Sequence, residues 1–142
     1  MTYQATQEHY KDLTHAIEHE DRDSLKELIS KGVRITENVM DHVINGNDKA
    51  LDFLLSEDCP YNDEAVIAAV YHPMDKELLE VFHKYGYRFG KDVVLASIDA
   101  FTGEHEDSKH IRLSTVKWLI EIGSEWPTIT PGIFIEIMDK LI

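Results

Sequence analysis

Eight histidines and one cysteine have the widest chemical reach in this 142-residue chain. His15 and His19 stand four apart, so on a helix both face one side. Two imidazoles so placed could meet one metal ion, with Glu18 or Glu20 beside them. No His-Glu-x-x-His pattern accompanies them, and two histidines on a surface helix are ordinarily solvated; His15 and His19 are the metal candidates on those terms, and no metal is assigned. His105 and His110 flank Glu106 and Asp107 in a polar stretch, with the same two readings. His83 replaces an aliphatic residue in a repeated phrase and is expected to pack, partly buried. Cys59, the only thiol, lies just past a helix beside Glu57 and Asp58, whose charge opposes thiolate formation. Paired carboxylates working as acid and base need a pocket, and none is indicated. No Gly-rich phosphate loop or nucleophile elbow is present. The expectation is a non-enzymatic chain without catalytic residues or cofactor.

The elements that would position these residues are written in a phrase of eleven that occurs four times. It begins at Leu25, Leu51, Leu79 and Val116, and reaches Gly32, Asp58, Gly86 and Gly123 at its eighth position. Each copy carries apolar residues at helical spacing, then the Gly or Asp, then an apolar residue three further on: Ile35, Tyr61, Phe89 and Trp126. A glycine there ends a helix, because glycine enters the left-handed region cheaply. A shorter apolar stripe precedes each phrase: residues 8–18, 37–45, 65–71 and 93–101. Asp23 or a neighbour, Asp48, Asn62 and Asp75 supply helix starts. Thr130-Pro131 opens a last helix containing Ile133, Phe134, Ile135, Ile137 and Met138. A helix pair cannot bury its own apolar face, whereas stacked pairs can. The predicted fold is all-α, a solenoid of antiparallel helix pairs, preferred over a compact bundle. It forms one domain over 1–142, with units of about 8–36, 37–62, 63–90 and 91–127 and a half-unit at 128–142.

The repeated phrase resembles the second helix and following turn of an ankyrin repeat. Gly32 with Ile35, Gly86 with Phe89 and Gly123 with Trp126 carry the likeness, with Gly46 between two helices and Thr130-Pro131 at a helix opening. The Thr-Pro-Leu-His signature is absent from the first four units, and the connections after each Gly are short. The resemblance is therefore to divergent, finger-poor ankyrin arrays. It implies protein binding through first-helix side chains and short loops.

Twenty-seven acidic against fourteen basic residues give a net charge of −13, which repels nucleic-acid phosphates and anionic membranes. It suits a basic protein partner, as well as simple solubility. The acids at second-helix starts, such as Asp21, Asp48 and Glu77, read first as helix-dipole compensation worth about 0.3–1 kcal/mol each. The expected contact residues are Asp12, Asp41, Glu64 and Asp92 on first helices, Glu104, Glu106 and Asp107 in the 102–110 loop, and Trp126 as an aromatic anchor. The expected role is an acidic immunity or inhibitor protein that blocks a basic toxin or nuclease. The alternatives are a viral or effector adaptor using apolar contacts and, further off, a metal-dependent enzyme. The last helix is apolar on so many sides that it must be clamped by the fourth unit or meet a partner or a second copy. One cysteine, no signal core and no long apolar run fit a cytoplasmic protein.

Overall fold

A computed structural model describes residues 7–105 and 109–141. Among these residues the regular structure is helical, without a strand. The order is α1 (Gln7–Glu18), α2 (Arg22–Ser30), a π-helical segment (Val39–Ile44), α3 (Asp48–Ser56), α4 (Asp63–Val70), α5 (Asp75–Lys84), α6 (Lys91–Thr102), α7 (Lys109–Glu121) and α8 (Pro131–Leu141). No helix is long and apolar enough to cross a membrane among the described residues. The chain forms two compact bodies, Met1–Gly86 and Tyr87–Ile142. Their boundary falls in the connection of the third phrase.

In the N-terminal body three helix pairs follow one another. α1 packs on α2, the π-helical segment on α3, and α4 on α5. The first members of the pairs also pack in chain order, α1 on the π-helical segment and that segment on α4, while α3 packs on α5. Leu13, Ala16, Leu25, Leu51, Leu54, Ala65, Val66, Ala69, Val70, Leu78, Leu79 and Phe82 are fully buried along these seams. In the C-terminal body α6 packs on α7, and α7 on α8. Its core holds Val94, Ile98, Phe101, Val116, Leu119 and Ile137.

The four phrases end alike. Gly32, Asp58, Gly86 and Gly123 all take left-handed φ, at 96°, 58°, 94° and 79°. At three ends the closing bonds repeat. Gly32, Asp58 and Gly123 N–H donate three residues back, to Ile29, Leu55 and Ile120 carbonyls, and the next amide donates five back, to Leu28, Leu54 and Leu119. That is the Schellman closure, which satisfies carbonyls the helix would leave open. Asp58 manages without glycine because aspartate tolerates left-handed backbone better than most residues. The apolar residues three further on also find one another. Ile35 N–H donates to the Pro60 carbonyl at 2.8 Å, with Ile35 and Tyr61 in a parallel bridge, and in the other body Glu125 N–H donates to the Phe89 carbonyl at 3.3 Å.

Helix starts depart slightly from expectation. Asp21 caps α2 and Asn47, not Asp48, caps α3, its Oδ1 accepting from Lys49 and Ala50 N–H. Asn62 caps α4, and Thr130 Oγ1 accepts from Ile133 N–H ahead of α8. The first helix of the second pair is the π-helical segment, six residues long.

Candidate partner-binding surface

Among the expected contact residues, Asp12 lies on α1, Asp41 on the π-helical segment, Glu64 on α4 and Asp92 on α6, and all four are exposed. The first three occupy the successive first helices of the N-terminal body, which pack against one another. Asp92 belongs to the C-terminal body, as do Glu104 and Trp126. Glu106 and Asp107 lie outside the described residues.

The two sets of helices in the N-terminal body differ in charge. α1, the π-helical segment and α4 carry six carboxylates against one lysine. α2, α3 and α5 carry seven carboxylates against five cations. Three cations of the second set, Arg22, Lys26 and Lys84, reach across to another helix pair. Arg22 Nη1 of α2 meets Glu57 Oε1 at 2.5 Å and lies over the Phe53 ring, 5.3 Å from its centroid, while Lys26 reaches Glu57 at 3.8 Å. One pair on, Lys84 Nζ donates to Asp52 Oδ1 at 3.2 Å, and the Tyr85 hydroxyl donates to the same carboxylate oxygen. The hydrogen bond from Tyr85, and then Lys84, holds the Asp52 carboxyl below the usual range. The same bond raises the Tyr85 hydroxyl, and Asp52 raises Lys84. These contacts share a register: the second position of one phrase (Lys26, Asp52) meets the seventh of the next (Glu57, Tyr85). Among the second-helix acids, Asp52 and Glu27 are held by cations, whereas Asp12, Glu18, Asp41 and Glu64 on the first helices are exposed.

Glu104 is engaged inside its own body. Its Oε2 accepts from Arg112 Nε at 3.1 Å, which lowers its carboxyl pKa. Trp126 is 37% exposed at the connection after Gly123. Its neighbour in the repeat pattern, Phe89, is buried and packs edge-on against Trp118. α8 is anchored on one side only. Ile137 is 2% exposed, and Glu136 accepts from Lys109 Nζ at 2.5 Å, with Lys109 also lying over the Phe101 ring. The opposite stripe of Phe134, Ile135 and Met138 remains 54%, 57% and 40% exposed.

The candidates for chemistry are spread out. His15 and His19 lie with ring centroids 4.3 Å apart, both exposed. His15 and Asp12 line a groove of about 240 Å³ together with Ser24, Glu27, Leu28 and Lys31, and Lys31 is paired to Glu27 at 3.1 Å. No group of three or more His, Cys, Asp or Glu side chains able to hold a metal occurs among the described residues. Cys59 is buried, and burial pushes its thiol up to about 12. Desolvation, and not the neighbouring Glu57 and Asp58, suppresses the thiolate. His83 is exposed, contrary to the packed position expected for it: its place in the phrase falls on the outer side of α5, next to Phe82, which takes the buried position.

Sequence reasoning missed Lys109, Arg112 and the Asp52–Lys84–Tyr85 cluster. Their partners lie on other helices or across the loop, so only the register between elements reveals them. Comparison with protein-family models, curated proteins and solved structures returns no match.

Proposed function

We propose that this chain is a non-enzymatic, ankyrin-like repeat module that binds a basic protein, in the manner of an immunity or inhibitor protein covering a cationic active site. The carrying observation is the charge difference between helix sets: six carboxylates against one lysine on the first helices of the N-terminal body. Helix-dipole compensation does not account for all of them, since Glu18 is the last residue of α1. A finger-poor ankyrin array would present this same face to its partner. The four matching helix ends and the paired connections support the repeat reading, and the short connections support its finger-poor form. A basic partner would be drawn in by the summed field, with faster association at low salt.

The test is genetic and physical together. Expression of this chain should rescue cells from a basic toxin or nuclease encoded beside it, and the purified pair should associate faster as salt is lowered. Absence of rescue together with salt-insensitive association would reject the reading. A second reading, an adaptor that binds apolar surfaces through Trp126 and the last helix, is favoured by the exposed stripe on α8. Salt-insensitive binding abolished by Trp126→Ala would select it.

A further inference from the structure

One position of the repeated phrase carries a cost that the fold does not require. Gly32, Gly86 and Gly123 close three of the phrases, whereas the second closes on Asp58 at φ 58°. Aspartate enters that left-handed region less cheaply than glycine. Asp58 also stands just past the C-terminal end of α3, where a negative charge opposes the helix dipole. Its side chain returns nothing for these costs. It is exposed, and among the described residues no hydrogen bond or ion pair engages its carboxylate. A local rule broken without a structural return points to a site. Asp58 borders an open cavity of about 280 Å³, lined also by Leu55, Cys59, Pro60, Tyr61 and Tyr85. All of these residues belong to the N-terminal body.

We infer that this cavity receives an arginine side chain of the basic partner, its guanidinium paired with Asp58 and stacked against the tyrosine walls. This rests on the basic-partner reading above and adds which side chain of that partner is held, and where. The volume lies just under the range of small-molecule pockets, about 300–1,000 Å³, which suits a single side chain. Both tyrosines are fixed before binding: Tyr61 packs on Phe82 with ring centroids 5.0 Å apart, and the Tyr85 hydroxyl donates to Asp52. Preformed walls lower the ordering cost of binding. Buried Leu55 and Cys59 offer apolar surface to the aliphatic stem. The nearby charges are otherwise committed. Glu57 is held by Arg22 and Lys26, and Lys84, which lies over the Tyr85 ring, is held by Asp52. The same body already seats one guanidinium in this manner, since Arg22 lies over the Phe53 ring and pairs with Glu57. Arginine is favoured over lysine because its planar head stacks on a ring and donates two parallel bonds to a carboxylate.

The probe is a flexible Gly/Ser peptide bearing arginines, with controls in which citrulline or lysine replaces every arginine. Amide resonances of the full chain are followed by NMR as each peptide is added at low salt. The arginine peptide is expected to shift Cys59, Tyr61 and Tyr85 to saturation, the lysine peptide to shift them with weaker affinity, and the citrulline peptide to leave them in place. Asp58→Asn and Asp58→Gly should each weaken the arginine peptide at this site at least about tenfold. Asparagine and glycine both accept the left-handed backbone, and the glycine variant should have a urea midpoint no lower than the natural chain, so lost binding is not lost fold. Unchanged affinity in both variants, or a citrulline peptide that binds as well, would overturn the inference. A lysine peptide that matches the arginine peptide would overturn the assignment to arginine. Shifts confined to the first helices would overturn the cavity while leaving the basic-partner reading intact. No shift anywhere with either cationic peptide would overturn that reading too.

Discussion

Single residues already separate scaffold from surface. Gly86 sits at φ 94° with open space where a Cβ would go, so substitution there meets a backbone cost and not a clash. Gly86→Val should destabilise the fold by about 1–2 kcal/mol, and Asp58→Gly should stabilise it by up to about 1 kcal/mol, both read from urea denaturation midpoints. The glycine pattern was legible in the sequence because left-handed closure has a residue signature. The Asp58 substitution was legible only through repetition, since aspartate by itself announces no helix end. Cys59 should resist maleimide at pH 8 in the folded chain and react fully in denaturant, because its thiol lies near 12 when buried. Its surroundings could not be read from neighbours in sequence: Glu57 and Asp58 suggested electrostatics, but burial beneath the connection decides. Asp52 gives a pH dependence of definite sign. Its folded pKa is depressed, so its contribution is present above the unfolded value of about 3.9 and is lost as pH falls through the lower folded value. Thermal melts of the natural chain should therefore fall more steeply below about pH 4 than those of Asp52→Asn.

Elements were legible where periodicity and caps agree. α1, α2, α4 and α5 lie within a residue or two of the stripes and capping residues that mark them. The second first-helix was not: Val39, Met40, Val43 and Ile44 give a helical stripe, yet the segment winds as a π-helix ending at Asn45 in left-handed conformation. A stripe this short is compatible with either winding, and the choice is made by packing against α1, α3 and α4. Lys109 on α7 reaches Glu136 of α8 and lies over the Phe101 ring of α6. That makes Lys109 the tie between α8 and the rest of its body. Lys109→Ala should cost about 1.5–3 kcal/mol, as expected for a charged hydrogen bond, and should raise hydrogen exchange in α8 before it does so in α6.

For the molecule as a whole, composition gave the sign of the charge but not its distribution. The distribution depends on which cations are committed: Arg22 and Lys26 to Glu57 of the following helix pair, Lys84 to Asp52 of the preceding one, and Lys31 to Glu27 within its own. Those contacts are invisible until the register between pairs is known. Exposed ion pairs of this kind are worth only about 0–1 kcal/mol each, so their main consequence is electrostatic. With seven carboxylates against five cations the second helices keep a smaller negative excess than the first helices, which carry six against one. The face expected from sequence, Asp12, Asp41 and Glu64, is thus set apart by what happens on the other helices, while Glu104 is drawn into a pair with Arg112. The most direct measurement is the association rate of the basic partner isolated from the native cell with the chain carrying Asp12→Lys, Asp41→Lys and Glu64→Lys. Rates would be compared between about 0.1 M and about 1 M salt, where the Debye length shrinks from about 10 Å to about 3 Å. The first-helix account predicts association slowed at least about tenfold by the triple reversal at low salt, with the two proteins converging at high salt. Equal rates for the natural and reversed chains at low salt would contradict it.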